Sequence, residues 1–264
     1  DPVAPSFNEK EFNYYENIHQ EILKIADAMA GYVLKEKSEE TLLVVCSDHG
    51  LMPSVRHISV PNFLVKHGFT VIKENGKGKI EIDWEKTKAV LHPFVQIWIN
   101  LKGRSPEGIV EPGTEYEKVR EEIIKLLREW RDPKTGKYIM SHVFKTEDGV
   151  FYGLGGERDG DIRFFTTPGY SAYRDRYPTK DGILVKDVMG PYLGDHGSCA
   201  PTARFGRGSE TAMLGMYGWG IKKGFVPKLY PRLIDIIPTI CYLCDLPLPA
   251  DSEGAILRDT LIYS

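Results

Sequence analysis

Four cysteines in 264 residues, at positions 46, 199, 241 and 244, are too few and too scattered to staple a disulfide scaffold. Cys241-x-x-Cys244 has no partner CxxC, and inside the apolar run IIPTICYLCDL it reads as two small buried thiols rather than a redox pair. Long hydrophobic runs are also missing. Every apolar stretch falls short of the roughly 20 residues a membrane span needs, so no membrane association is expected. Neither sign of charge is in excess: 34 Lys and Arg face 37 Asp and Glu, with a pI of about 6.2. Without a basic field, nucleic acid is not expected as a standing partner. The chain opens DPVAPSFNEK, with no Met, no basic n-region and no apolar h-region. That reads as neither a signal peptide nor a natural start, and a fragment or processed chain is expected. Nothing points to an oxidising compartment, and a cytoplasmic, soluble protein is the expectation. No internal repeat is found.

What is present is ordinary globular material, 42% hydrophobic and 11% aromatic, in a chain long enough to bury a sizeable core. Phe12, Tyr15, Ile18, Ile22, Ile25, Met29 and Val33 recur three or four apart, which predicts a helix over 9–35. TLLVVC then reads as a strand. A short helix ending at Gly68 is expected in ISVPNFLVKHGF, followed by a hairpin of TVIKE and KIEID around an Asn-Gly turn. Residues 89–103 are β-rich, and 115–132 form an amphipathic helix stopped at Asp132-Pro133. SHVFKTEDGVFYG and DIRFFTTPGY add strand candidates. Residues 168–211 are rich in Gly, Pro and Arg, a loop composition. TAMLGMYGWGIKKG is a strand closing in a Gly-rich turn, and LIDIIPTICYLCDL is a final helix. Alternating strands and helices at both ends predict an α/β sheet covered on both faces, with an insertion in the middle.

The chemistry concentrates at two triplets. Asp48-His49-Gly50 ends the first strand, where open α/β sheets gather their ligands. An adjacent Asp and His ligate one cation if the backbone turns sharply, and Gly50 supplies that freedom. A capping aspartate beside a solvated histidine is the alternative. The second triplet, Asp195-His196-Gly197, follows Gly194 in a loop. Asp1, ahead of the long helix, is a third candidate. Carboxylate with imidazole suits Zn²⁺, Mn²⁺ or Fe²⁺ better than Ca²⁺. Of the other histidines, His19, His57, His67 and His142 read as packed or solvated, and His92 is a candidate for substrate contact. Arg174, Arg176, Arg204 and Arg207 cluster around His196, where guanidinium forks either hold a phosphoryl or sulfuryl group or line a solvated loop. Tyr170, Tyr173 and Tyr177 either line the same mouth or pack the lobe.

The strand ending in SDHG, the short helix after it and the later GDHG loop resemble the alkaline phosphatase superfamily, and within it the type I phosphodiesterase/nucleotide pyrophosphatase group. IDWEKTKAV at 82–90, INLKGRSPEGIV at 99–110, DPKTG at 132–136, GWGIKKG at 218–224 and LIDIIPTICYLCDLPLPADSEGAIL at 233–257 are similar to segments of its microbial members. The likeness covers nearly the whole chain in order. It implies a three-layer αβα fold with a mostly parallel sheet, a metal-binding core over 1–85 and 191–264, and an inserted α+β cap lobe over 86–190. It also implies two divalent metal ions, zinc before manganese or iron. Asp48 and His49 match the ligands of the second metal, and His196 and Asp1 match ligands of the first. Arg204, Arg207 and His92 remain the candidates for binding a small-molecule phosphate ester.

The sequence departs from the family pattern at Pro5, which stands four residues after Asp1 where the family has a ligating His. The family's Thr or Ser nucleophile and its first-strand Asp match nothing in these residues and are expected upstream. The expected function is a metal-dependent phosphohydrolase acting by in-line displacement at phosphorus. A catalytically degenerate binding member and a phosphomutase of the superfamily are the alternatives. Oligomeric state and substrate identity stay open.

Overall fold

The computed structural model describes residues 1–92, 95–156, 158–172, 175–189 and 194–262. Along the chain run α1 (Glu9–Glu36), β1 (Leu42–Cys46), β2 (Met52–Pro53), β3 (Arg56–Ile58), α2 (Val60–Lys66), β4 (Ile72–Glu74) and β5 (Ile80–Ile82). Then come β6 (Ala89–Leu91), β7 (Gln96–Ile99), α3 (Thr114–Glu129), β8 (Met140–Lys145), β9 (Ile162–Thr166), β10 (Tyr170–Ser171) and β11 (Val185–Asp187). The short pieces β12 (Gly194–Asp195), β13 (Arg204–Phe205) and β14 (Gly208–Ser209) precede β15 (Leu214–Gly218) and α4 (Ile236–Leu243). The chain divides into two compact units, residues 1–8 with 50–211 and residues 9–49 with 212–264.

In the first unit the core lies on an antiparallel sheet of order β6-β7-β9-β8. Strand β7 alternates Gln96 and Trp98, half-buried, with Ile97 and Ile99, buried, the period-two pattern of a strand with one covered face. Helix α3 turns Val119, Ile123, Ile124 and Leu127 into the same core at helical spacing. Each such side chain contributes about 1.5–3 kcal/mol by leaving water. Helix α2 starts at Ser59, whose Oγ accepts from the Asn62 N–H at 3.4 Å, with Pro61 in the first turn where no N–H is needed. It ends at Gly68, φ 76°, as the sequence predicts. The β4–β5 hairpin also forms, but not on a two-residue Asn-Gly turn. Asn75 Oδ1 accepts from the N–H groups of Lys77 and Lys79 at 3.0 and 3.1 Å, so the loop is longer and Gly78, at φ 72°, takes the left-handed position.

The second unit holds α1, β1, β15 and α4. Strand β1 pairs antiparallel with β15 from Leu42↔Gly218 to Cys46↔Leu214. Helix α1 forms where expected, yet none of its residues is buried: Tyr15 is 64% exposed, Ile25 63% and Met29 67%. Periodicity specifies which face of a helix is apolar, whereas burial needs a facing surface, and the described residues supply none for this stripe.

A mostly parallel sheet is not what the described residues form. The strand pairs are antiparallel apart from β3 with β10, and the sheets have two to four strands. Short connections such as β4–β5 and β6–β7 can only reverse the chain, and parallel pairing needs a long crossover. Among the described residues no helix is long and apolar enough to cross a membrane.

Candidate metal and phosphate site

In the second unit, β1 delivers its last residues into a turn fastened by Ser47. The Ser47 N–H donates to the Met213 carbonyl at 3.0 Å, and Ser47 Oγ accepts from the Met213 N–H at 2.9 Å. Asp48 follows with its side chain 80% exposed, its Oδ1 accepting from the His49 N–H at 3.0 Å. The Asp48 Oδ2 lies 3.3 Å from His49 Nε2. Carboxylate and imidazole are thus presented together to solvent, an arrangement that serves a bidentate approach to one cation or a His–carboxylate pair.

In the first unit, the other triplet repeats this turn. Asp195 Oδ1 accepts from the His196 N–H at 2.8 Å. Here, though, the second oxygen is spent, because Ser198 Oγ donates to Asp195 Oδ2 at 2.8 Å. Asp195 therefore shapes the loop and leaves His196 as its donor. The loop is held from below. Gly197, φ 75°, donates its N–H to Glu210 Oε2 at 2.9 Å. The Ser198 carbonyl accepts from the Thr166 N–H and hydroxyl at 2.7 and 3.1 Å. Burial pushes the Glu210 carboxyl above its ordinary range, with the Gly197 N–H pulling the other way. Neither Glu210 nor Thr166 stands out in the sequence, since a single Glu or Thr in a loop carries no pattern.

Asp1 caps the turn of the β13–β14 hairpin. Its Oδ2 accepts from the Arg207 N–H at 2.8 Å and its Oδ1 from the Val3 N–H at 3.1 Å. A Cβ at Gly206 would meet those oxygens at 2.7 and 2.8 Å, so the carboxylate fills the space a side chain would take. Arg204 and Arg207 are exposed on that hairpin. Arg176 and His92 line a separate cavity. Tyr173 and Arg174 lie outside the described residues. The sequence-level cluster of arginines is thus divided between two places.

His57, read from the sequence as packed or solvated, is buried on β3 with its Nε2 at 3.2 Å from Asp175 Oδ2. Of the CxxC, Cys241 is buried as expected but Cys244 is exposed, and all four thiols are free.

Whether these donors fit a metal turns on number. Among the described residues no group of three or more His, Cys, Asp or Glu converges as a metal site. Asp48 with His49 has the donor chemistry of a divalent cation site and the exposure to take one, but only as two ligands. Asp1 already engages both oxygens with N–H donors.

Comparison with known proteins places this architecture. The profile of the family "Type I phosphodiesterase / nucleotide pyrophosphatase" matches residues 8–198, and the chain belongs to that family. Among solved structures it is similar to a mutant of the alkaline phosphatase PafA, with a TM-score of 0.51 and 16% identity over 89% of this chain and 41% of that one. Wild-type PafA is also similar, with a TM-score of 0.46 and 16% identity over 83% of this chain and 38% of that one. The chain spans about two fifths of the length of these structures, and the first likeness shows an alkaline phosphatase-like fold. No curated protein gives a significant match.

Proposed function

We propose that this chain is the metal-binding part of a phosphoryl-transfer hydrolase acting on small-molecule phosphate esters. The observation that carries the reading is the Asp48–His49 pair, carboxylate and imidazole 3.3 Å apart and facing solvent, in a chain of the phosphodiesterase family. Asp48 and His49 would hold one divalent cation and His196, with Asp1, a second, zinc being the best match to mixed oxygen and nitrogen donors. When bound, such a cation supplies Lewis-acid polarisation of a phosphoryl oxygen.

The chain's own residues do the positioning. Asp48 Oδ1 fixes the His49 backbone, Asp195 does the same for His196, and Glu210 and Thr166 hold the loop that carries His196. Arg204 and Arg207 suit the anionic ester oxygens, whereas His92, expected at the substrate, lines a separate cavity. The attacking hydroxyl comes from outside residues 1–264. A catalytically degenerate binding role is the second reading, favoured by Pro5 in a ligand position and by Asp1 engaged in the β13–β14 turn.

The test is calorimetric titration of the chain with Zn²⁺, beside Asp48→Asn with His49→Asn and, separately, His196→Ala. The expected result is a site lost in each variant with the fold intact by circular dichroism. Zn²⁺ binding that is absent from the wild type, or unchanged in both variants, overturns the reading. Bound zinc without hydrolysis of aryl phosphodiester or phosphomonoester by the full-length protein selects the binding role.

A further inference from the structure

The first unit contains a cavity of about 610 Å³ that the phosphoryl-transfer reading does not require. Its size is that of a small-molecule site. Its walls are the indoles of Trp84 and Trp98 with Val90, Leu91 and Ile82. Two polar side chains of the lining, Thr70 and Asn100, are already engaged as donors. Thr70 Oγ1 donates to the Ala89 carbonyl at 2.5 Å, and Asn100, buried, reaches the carbonyls of Trp84, Thr87 and Glu107 with Nδ2 at 3.2, 2.9 and 3.0 Å.

That one amide ties the segments bearing Trp84 and Glu107 to the end of β7, next in sequence but one to Trp98. Trp98 is clamped in turn. The Arg104 guanidinium lies over its ring at 5.2 Å, and Arg104 is anchored by two hydrogen bonds to Asp161, at 2.7 and 2.6 Å. The Trp98 indole and the backbone at Trp84 are therefore held before any ligand arrives. Yet Trp84 is left 40% exposed in a concave surface. Uncovered aromatic area in a preformed apolar cleft is the mark of a ligand site.

We propose that this cleft binds the flat aromatic ring system of a small organic molecule. With the Thr70 and Asn100 donors engaged, recognition rests on shape and on the indole rings. A stacked or edge-on ring gains up to about tenfold over a saturated skeleton of equal area. The lining carries one Arg and one Glu, Arg176 and Glu107, whose formal charges cancel. The inference stands apart from phosphoryl transfer, since it concerns binding with no reaction and is tested without metal or phosphate ester.

The probe is 2-naphthol, compared with decahydro-2-naphthol, which keeps the carbon skeleton and loses the π faces. The chain has four tryptophans, at 84, 98, 130 and 219. The indole N–H resonances, read by NMR during titration, report each one. The expected result is saturable shifts at Trp84 and Trp98 with Trp130 and Trp219 unmoved, and about tenfold weaker binding of the saturated analogue. Trp84→Leu is expected to weaken 2-naphthol by a similar factor. No binding at millimolar 2-naphthol, equal affinity for the saturated analogue, or shifts as large at Trp219 each overturn the proposal. Should Trp84→Leu misfold, the wild-type comparison of the two ligands decides alone.

Discussion

Arg56 grips Asp132 with two parallel hydrogen bonds, Nε to Oδ2 at 2.8 Å and Nη2 to Oδ1 at 2.9 Å, and Asp132 is entirely buried. The Tyr170 hydroxyl and the Lys134 N–H also donate to Asp132, at 2.9 and 2.8 Å, while Arg56 reaches on to Asp187. Burial pushes the Asp132 carboxyl up, but Arg56 and these donors outweigh it and hold it at about 2. Removing one partner strands a buried charge, whereas removing both does not. Asp132→Ala is expected to cost about 3 kcal/mol, and the double change Arg56→Met with Asp132→Leu markedly less, both read by urea unfolding. The carboxyl's folded value lies below its unfolded one, so its stabilisation is complete above about pH 4. It is lost as pH falls toward about 2. The double variant should therefore lose less stability than the wild type over that window.

Gly50 tests a correction. Its role is closeness of approach and not a left-handed turn: it is absent from the positive-φ glycines, and a Cβ there would lie 2.0 Å from the Ser209 carbonyl oxygen and 2.8 Å from that of Thr211. Gly50→Ala is expected to destabilise by about 1–3 kcal/mol. Gly31, inside α1 with nothing within 4 Å of a Cβ, is the contrast. There, Gly31→Ala should stabilise by up to about 1 kcal/mol. Paired chemical-denaturation curves check both signs.

The buried Glu210 carboxylate accepts from Gly197 and so holds the His196 loop. Glu210→Ala leaves that N–H without its acceptor, at an expected cost of about 1–3 kcal/mol. Glu210→Gln keeps an acceptor oxygen and sheds the buried charge, so its melting temperature should stay close to that of the wild type. Equal losses in the two variants would show that the acceptor is not what matters.

The thiols differ in reach. Cys46 and Cys244 are exposed, while Cys199 and Cys241 are buried. Burial also pushes the Cys199 thiol up to about 11, against the pull of the Thr166 hydroxyl. Only a thiolate attacks a disulfide reagent. Ellman titration at pH 8 should therefore release two equivalents promptly from the folded chain. The other two should appear only on unfolding, and Cys46→Ser with Cys244→Ser should abolish the fast phase.

Much of the fold is legible along the chain. The 3.6-residue spacing in 115–132 gives α3, Gly68 gives the end of α2, and the two DHG triplets give the two turns whose Asp accepts from the following His N–H. Those features are local, fixed by side chains a few residues apart. The pairing of β1 with β15, the division of the arginines and the burial of His57 are not.

By itself the sequence determined helices α1 to α4, the existence of the β4–β5 hairpin, the family and the candidate ligands Asp48, His49 and His196. Only the tertiary structure decided which polar groups are already spoken for. Asp1 meets a backbone N–H 206 residues away, and Arg56 meets Asp132 across 76. The same holds for the apolar stripe of α1, whose period is written in the chain and whose exposure is not. Periodicity and turn chemistry act over one or two turns of backbone. Hydrogen-bond satisfaction and burial depend on which distant segment folds alongside, and no spacing rule encodes that partner.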